Sequence, residues 1–178
     1  MSRKRKRRPK VSVFNRFRPS RWQQVCTVGD RRYDDALFLY RRGTSARWNS
    51  AVYLAGLAVE LYLKGALLKT HPFLSSASLG TLRSEGTEWK LNLYDLFWRS
   101  HDLTELMSAS PDLLSEIERE SLSMHRAGRK ATLWETFMRV ASWNVAVRYT
   151  TVQVTRSEVD TFMSSVKEVL KWLREQIH

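Results

Sequence analysis

Two pairs of polar residues stand where the surrounding pattern is apolar, and they are the side chains best placed to do chemistry. Glu60 and Lys64 are four positions apart in a long apolar stretch, and Asn144 and Arg148 are four positions apart near the end of another. This spacing places both members of a pair on one helix face, so each pair either satisfies itself or lines a groove for a polar ligand. For Arg148, capping of the helix C-terminal carbonyls is a further alternative.

Other common kinds of active-site chemistry lack their motifs in this sequence. The four histidines form no HExxH motif and no cluster, and the one cysteine, Cys26, supports neither a disulfide framework nor a cysteine-rich zinc site. No phosphate-binding glycine loop and no serine nucleophile elbow occurs. We therefore expect no metal and no cofactor, and we expect most aromatic residues to lie in the core.

Positive charge is concentrated at the start of the chain. The 178 residues carry a net charge of +12, but residues 1–21 hold ten Lys or Arg and no acid, against 20 basic and 18 acidic residues in the remainder. The densest run consists of Arg3, Lys4, Arg5, Lys6, Arg7, Arg8 and Lys10. Such a run repels itself, stays extended and gains free energy on RNA or DNA by releasing counterions. The alternatives are a nuclear-localisation-type signal and a solvated tail without a partner.

The stretch over residues 51–68 is apolar enough to be compared with a membrane span. Its two charges, Glu60 and Lys64, lie near its middle, where each costs about 2.5–3.5 kcal/mol to insert. No apolar run follows the basic residues as a secretory signal requires. We expect a buried core helix, no membrane partner, and a cytoplasmic protein (nuclear if the basic run directs it there).

Helical periodicity dominates the chain after residue 30 and predicts an all-α, up-and-down bundle of four to six helices. We expect the helical domain over residues 30–178 and a basic, largely disordered arm over residues 1–29. The predicted helices cover residues 30–42, 44–69, 91–108, 111–126, 131–149 and a last segment that opens with a capping box at Thr155 and Glu158. Residues 71–90 are predicted to be a long polar connection.

Three segments together resemble a HEPN (higher eukaryotes and prokaryotes nucleotide-binding) domain. They are AVYLAGLAVELYLKGALL at 51–68, SHDLTELM at 100–107 and WNVAVRY at 143–149, and a last amphipathic helix follows them. Their order and spacing fit the family over about residues 30–177, and the basic arm lies outside the match. The resemblance implies a HEPN-like helical bundle that forms a homodimer and works in a toxin–antitoxin or defence-type system. A nucleotidyltransferase-type or antitoxin partner is also implied.

The active members of the family are metal-independent ribonucleases with an Arg-x(4–6)-His motif, and this sequence departs from that motif. The equivalent arginine is Arg148, but Tyr149 follows it instead of a polar residue. The positions where the histidine should stand hold residues that cannot transfer a proton near neutral pH: Gln153, Val154 and Thr155. A second pair with suitable spacing, Arg119 and His125, precedes this segment, and chance alone explains it.

Three hypotheses follow from the sequence. The first is an RNA- or nucleotide-binding HEPN module without nuclease activity, whose ligand-binding residues are Glu60, Lys64, Asn144, Arg148 and Tyr149 around one cleft. The second is an active endoribonuclease that uses Arg119 to stabilise phosphate charge and His125 to transfer a proton, or that uses a constellation not recognised in the sequence. The third is a helical scaffold for protein interactions, in which the polar residues only satisfy one another.

Overall fold

In a computed structural model the described residues are 21–177, and they form nine α-helices and two 3-10 helices without any strand. The α-helices are α1 (Trp22–Arg42), α2 (Trp48–Thr70), α3 (Phe73–Ser76), α4 (Leu79–Ser84), α5 (Glu88–Arg99), α6 (Leu103–Ser108), α7 (Pro111–Arg126), α8 (Leu133–Ala141) and α9 (Arg156–Ile177). The 3-10 helices cover Ser45–Arg47 and Val145–Tyr149. The prediction of an all-α fold is confirmed over these residues. The seven basic residues predicted to contact nucleic acid, from Arg3 to Lys10, lie outside the described residues.

Helix α2 forms the centre of the fold, as its apolar sequence predicts. It packs against α1, α6, α9 and the 3-10 helix at 145–149. Small residues allow α1 to approach closely: a Cβ atom added at Gly65 would lie 2.6 Å from the sulfur of Cys26. Among residues 21–177 one helix, Ser45–Thr70, is long and apolar enough to cross a membrane, and 78% of its apolar window is buried inside the protein.

Helix α1 begins at Trp22, earlier than the predicted start at Asp30. Val25, Cys26 and Gly29 are buried against α2, and this packing holds the first turns in helical form. The predicted boundary between arm and domain at residue 29 therefore falls inside α1. The sequence did not predict these turns, because charged residues flank their apolar positions on both sides.

Residues 21–177 form more helices than the predicted four to six, because the predicted connection contains two short helices and one predicted helix is divided. The region 71–90 is not a plain connection: Leu74 and Leu82 are buried and anchor the short helices α3 and α4. The predicted helix 91–108 is interrupted after Arg99, where the Asp102 carboxylate accepts hydrogen bonds from the backbone N–H groups of Thr104 and Glu105 and starts α6. The side-chain hydrogen bond from Thr104 lowers the pKa of Asp102, so the cap is charged at neutral pH.

The predicted helix 131–149 is also shorter than expected, because α8 ends at Ala141. Trp143 turns inward and lies against Gly56, where an added Cβ atom would come within 2.4 Å of the indole ring. Asn144 then caps the 3-10 helix by accepting a hydrogen bond from the N–H of Ala146. The predicted helix 111–126 and the capping box of Thr155 and Glu158 are both confirmed.

Helix α9 is fixed to the first two helices by a polar cluster. The Asp30 carboxylate of α1 accepts hydrogen bonds from the Tyr62 hydroxyl at 2.7 Å and from the Arg174 guanidinium at 2.7 Å. Burial and the hydrogen bond to Asp30 raise the pKa of Tyr62 to about 12, so its hydroxyl keeps its proton. The cluster sets the position of α9, which forms one wall of the cleft described below.

Candidate functional site

Glu60 and Lys64 form the ion pair that their spacing predicts. The Lys64 ammonium lies 2.7 Å from Glu60 Oε1, and both residues are buried, with 2% of Glu60 and 8% of Lys64 exposed. A charge buried to this degree must be paired, and each residue supplies the partner of the other. The pair is therefore a satisfied element of the core.

His101 is the third member of this cluster, and sequence analysis did not select it. Its Nδ1 lies 2.9 Å from Glu60 Oε2, so both oxygens of the carboxylate are engaged. His101 lies in the break between α5 and α6, and its ring contacts α2 through Glu60. Half of its side chain remains exposed. A carboxylate that holds Nδ1 fixes the tautomer and orientation of an imidazole, as in proton-transfer and ligand-binding histidines. The available signal was the SHDLTELM segment, where a helix start directly follows the histidine.

The remaining predicted ligand-binding residues lie on a more open part of the molecule. Asn144 is exposed, Tyr149 is 72% exposed, and the side chain of Arg148 lies outside the described part of the structure. Asn144 lines a cavity of about 270 Å³ with Val52, Ser142, Trp143, Val147 and Phe162. Glu60 and Lys64 do not line this cavity, so the structure does not bring the two predicted pairs together in it. The cause is the early end of α8 at Ala141, which leaves Asn144 outside the helix predicted over residues 131–149.

A second cavity, of about 370 Å³, continues from the first between α8 and α9; we call the two together the α8–α9 cleft. Both cavities share Val52, Ser142 and Phe162. The polar groups that line the larger one are Arg139, Ser142, Ser157, Glu158 and Thr161, and its apolar groups are Val52, Val154 and Phe162. Arg139 was not predicted, because nothing in the sequence distinguishes it from other exposed arginines.

Arg139 is held in the cleft by a neutral partner. Its Nη1 donates a hydrogen bond of 3.2 Å to the hydroxyl of Ser165, which is buried and itself donates to the backbone carbonyl of Thr161. No carboxylate among residues 21–177 forms an ion pair with Arg139. An arginine that is oriented by a hydroxyl keeps its full charge and most of its donors for a ligand.

A broad groove between α5 and α6, of about 880 Å³, is the largest of the described cavities. His71, Trp89, Asp95, Arg99 and Glu105 are among its lining residues. Trp89 is 55% exposed, whereas most tryptophans lie in or against the core as predicted. Arg99 pairs with Asp95 at 3.3 Å and Glu105 accepts a hydrogen bond from Ser100, so each of these charged side chains already has a partner.

The predicted alternative catalytic residues, Arg119 and His125, both lie on exposed parts of α7. Arg119 is hydrogen-bonded to Glu116 on the same helix. Six residues along a helix correspond to about 9 Å of rise and an offset of about 120°, so the two side chains of one chain do not face a common point. Within a single chain their arrangement shows no joint site.

Within the described residues no group of three or more His, Cys, Asp or Glu is placed to hold a metal ion. Comparison of the chain with protein-family models, with curated proteins and with solved structures gave no match.

Proposed function

We propose that this chain is an RNA-binding module of HEPN type that does not cleave RNA. The observation that supports this function best is the meeting of the three family-like segments on α2. His101 of the second segment contacts Glu60 of the first, and Trp143 of the third lies against Gly56 of the first. Segments that are far apart in sequence and form one packed unit are expected if the resemblance reflects a shared fold.

The basic residues at the start of the chain supply the attraction for RNA in this proposal. Residues 3–10 carry seven positive charges, whereas the chain after residue 21 is nearly neutral. Each phosphate that such a segment neutralises releases counterions, so binding to single strands weakens with a salt slope of about 0.7 per contact. The remainder of the chain then supplies selectivity, and we infer a homodimer with a nucleotidyltransferase-type or antitoxin partner from the resemblance alone.

Ribonuclease activity is the less favoured alternative, because its candidate arginine is otherwise engaged. Arg119 is hydrogen-bonded to Glu116, and this bond lowers the pKa of Glu116, so the pair is fully charged at neutral pH. An arginine in such a pair must break it before it can reach a phosphate.

Incubation of the full chain with single-stranded RNA in EDTA separates binding from cleavage. We expect a retarded complex on a native gel and intact RNA on a denaturing gel, both for the wild type and for His125→Ala. RNA that is cut by the wild type and left intact by His125→Ala would establish the ribonuclease instead. RNA that is neither bound nor cut would contradict both RNA functions and would favour the hypothesis of a scaffold for protein interactions.

A further inference from the structure

We infer that the α8–α9 cleft binds a nucleotide through its phosphate group, with Arg139 as the anion ligand. The ligand class is a phosphate monoester on a nucleoside, either free or at the 5′ end of an RNA. The inference rests on the proposed function for the RNA source of the ligand, but its chemistry depends only on the cleft.

The guanidinium of Arg139 is positioned for an anion before any ligand arrives. Ser165 accepts one of its five N–H groups, and the Ser165 hydroxyl is fixed in turn by the carbonyl of Thr161. Other arginines of the structure are neutralised by carboxylates, for example Arg99 by Asp95 and Arg156 by Asp160. Arg139 differs from these because a neutral hydroxyl orients it, and within residues 21–177 no carboxylate forms an ion pair with it.

Hydroxyl groups next to Arg139 add donors that suit phosphate oxygens. Ser157 and Thr161 line the same cavity, and neither side chain has a hydrogen-bond partner in the described part of the protein. Hydroxyl groups rotate freely and donate to phosphate as readily as to water. A guanidinium with two such donors is a common composition of a site for a single phosphate group.

Glu158 lines the cavity too, and it determines which phosphate compound is preferred. Hydrogen bonds from the backbone N–H and hydroxyl of Thr155 lower the pKa of Glu158, so the carboxylate is charged at neutral pH. Glu158 brings a negative charge into the same cavity without forming an ion pair with Arg139, and it repels an anion, so inorganic phosphate alone is held weakly. A nucleoside phosphate has ribose hydroxyls and base N–H groups that can donate to a carboxylate, in addition to its anion.

The apolar wall of the cleft completes the match to a nucleoside. Val52, Val154 and Phe162 line the larger cavity, and the adjoining one reaches Trp143 and Asn144. The cavity of about 370 Å³ lies in the size range of small-molecule sites. A base on this wall, with its phosphate at Arg139, removes apolar surface from water while the anion remains paired.

Equilibrium dialysis of the full chain tests this inference with four probes: AMP, UMP, adenosine and inorganic phosphate. The background is a variant in which the seven basic residues at 3–10 are replaced by Gln, so that nonspecific attraction to the start of the chain is absent. We expect the two nucleotides to bind at least about tenfold more tightly than adenosine or phosphate, the gain expected from one charge-assisted contact.

Variants in the cleft identify the anion ligand. Arg139→Ala should weaken AMP binding about tenfold or more, Arg139→Lys and Thr161→Val should weaken it less, and the exposed Arg126→Ala should change it by no more than about twofold. Thermal unfolding of each variant shows whether the fold is intact. Equal binding of adenosine and AMP, or AMP binding unaffected by both Arg139 changes and by Thr161→Val, would overturn the inference.

The two sources of the phosphate are separated by RNA oligonucleotides of one sequence with a 5′-phosphate or a 5′-hydroxyl. Tighter binding of the phosphorylated oligonucleotide, lost in Arg139→Ala, places an RNA end in the cleft. AMP binding without this discrimination identifies a free nucleotide as the ligand. If the chain binds AMP through Arg139 but does not bind RNA, the proposed function is wrong and the inference about the cleft is supported. If it binds RNA but not AMP, and does not distinguish the two RNA ends, the inference about the cleft fails alone.

Discussion

Glu60 Oε2 lies 2.9 Å from Nδ1 of His101, and this contact joins the central helix α2 to the break between α5 and α6. The two residues are 41 positions apart in sequence. Together with Lys64 they form a buried ion pair that extends to the surface through a half-exposed imidazole. The geometry of this cluster decides how each of its members responds to substitution.

Removal of the Glu60 carboxylate should cost far more stability than removal of the His101 ring. Glu60→Ala leaves the Lys64 ammonium buried without a partner, which typically costs about 3–5 kcal/mol in unfolding free energy. His101→Ala removes one hydrogen bond from a half-exposed side chain and should cost about 0.5–1.5 kcal/mol. Urea denaturation measures both values.

The double variant Glu60→Leu/Lys64→Met is the matched control for this prediction. Since it removes both charges and keeps similar volumes, it should recover most of the stability that Glu60→Ala loses. A Glu60→Ala protein as stable as the wild type would show that the ion pair is not buried in solution.

Gly56→Ala should disturb the third family-like segment through Trp143. A Cβ atom at Gly56 would lie 2.4 Å from the indole ring, so the ring must move, at an expected cost of about 1–3 kcal/mol. Gly80→Ala in α4 is the control, because its Cβ would meet nothing closer than the Ser78 hydroxyl at 3.9 Å. Thermal denaturation should show a lower Tm for the first variant and an unchanged or higher Tm for the second. Equal Tm shifts in both would contradict the packing of Trp143 on α2.

Cys26 should make the stability of the protein fall at alkaline pH. Burial raises the pKa of its thiol from 9.0 to about 11, so the folded chain keeps this proton at pH values where the unfolded chain releases it. The unfolded state then binds fewer protons, and the free energy of unfolding decreases with rising pH between about 9 and 11, by about 1.4 kcal/mol per pH unit for one group. Below pH 9 the thiol is protonated in both states, so its full contribution to the free energy of unfolding is present there.

Comparison with Cys26→Ala isolates this titration from those of the lysines and tyrosines. The stability difference between wild type and variant should be constant below pH 9 and should shrink as the pH rises towards 11. A difference that does not depend on pH over this range would show that the thiol is accessible to water in the folded protein.

The sequence predicted the parts of the fold in which local signals and tertiary packing agree. Pro111 begins α7 at the predicted position, the Thr155–Glu158 capping box precedes α9, and the Glu60–Lys64 pair forms across one turn of α2. Each of these depends on residues within four positions of one another, and such residues interact by helix geometry alone.

The remaining features depend on contacts between distant residues, which periodicity does not reveal. Helix α8 ends early because Trp143 packs against Gly56, and His101 joins the cluster because Asp102 starts a new helix at that point. Arg139 faces a cleft because α9 places Ser165 beside it. Asn144 was expected on one face of a long helix, but α8 ends before it, and Asn144 instead caps a 3-10 helix.

The salt dependence of RNA binding tests the proposed function most directly. Fluorescence anisotropy with a labelled single-stranded RNA gives the association constant of the full chain as a function of salt, for the wild type and for the variant with Gln at the seven basic positions of 3–10. A matched control neutralises the exposed Arg126, Arg129 and Lys130. We predict that the first variant lowers the slope of log K against log salt by up to about 5, at about 0.7 for each lost phosphate contact, and that the control changes it little. Equal slopes for the wild type and the first variant would contradict the account.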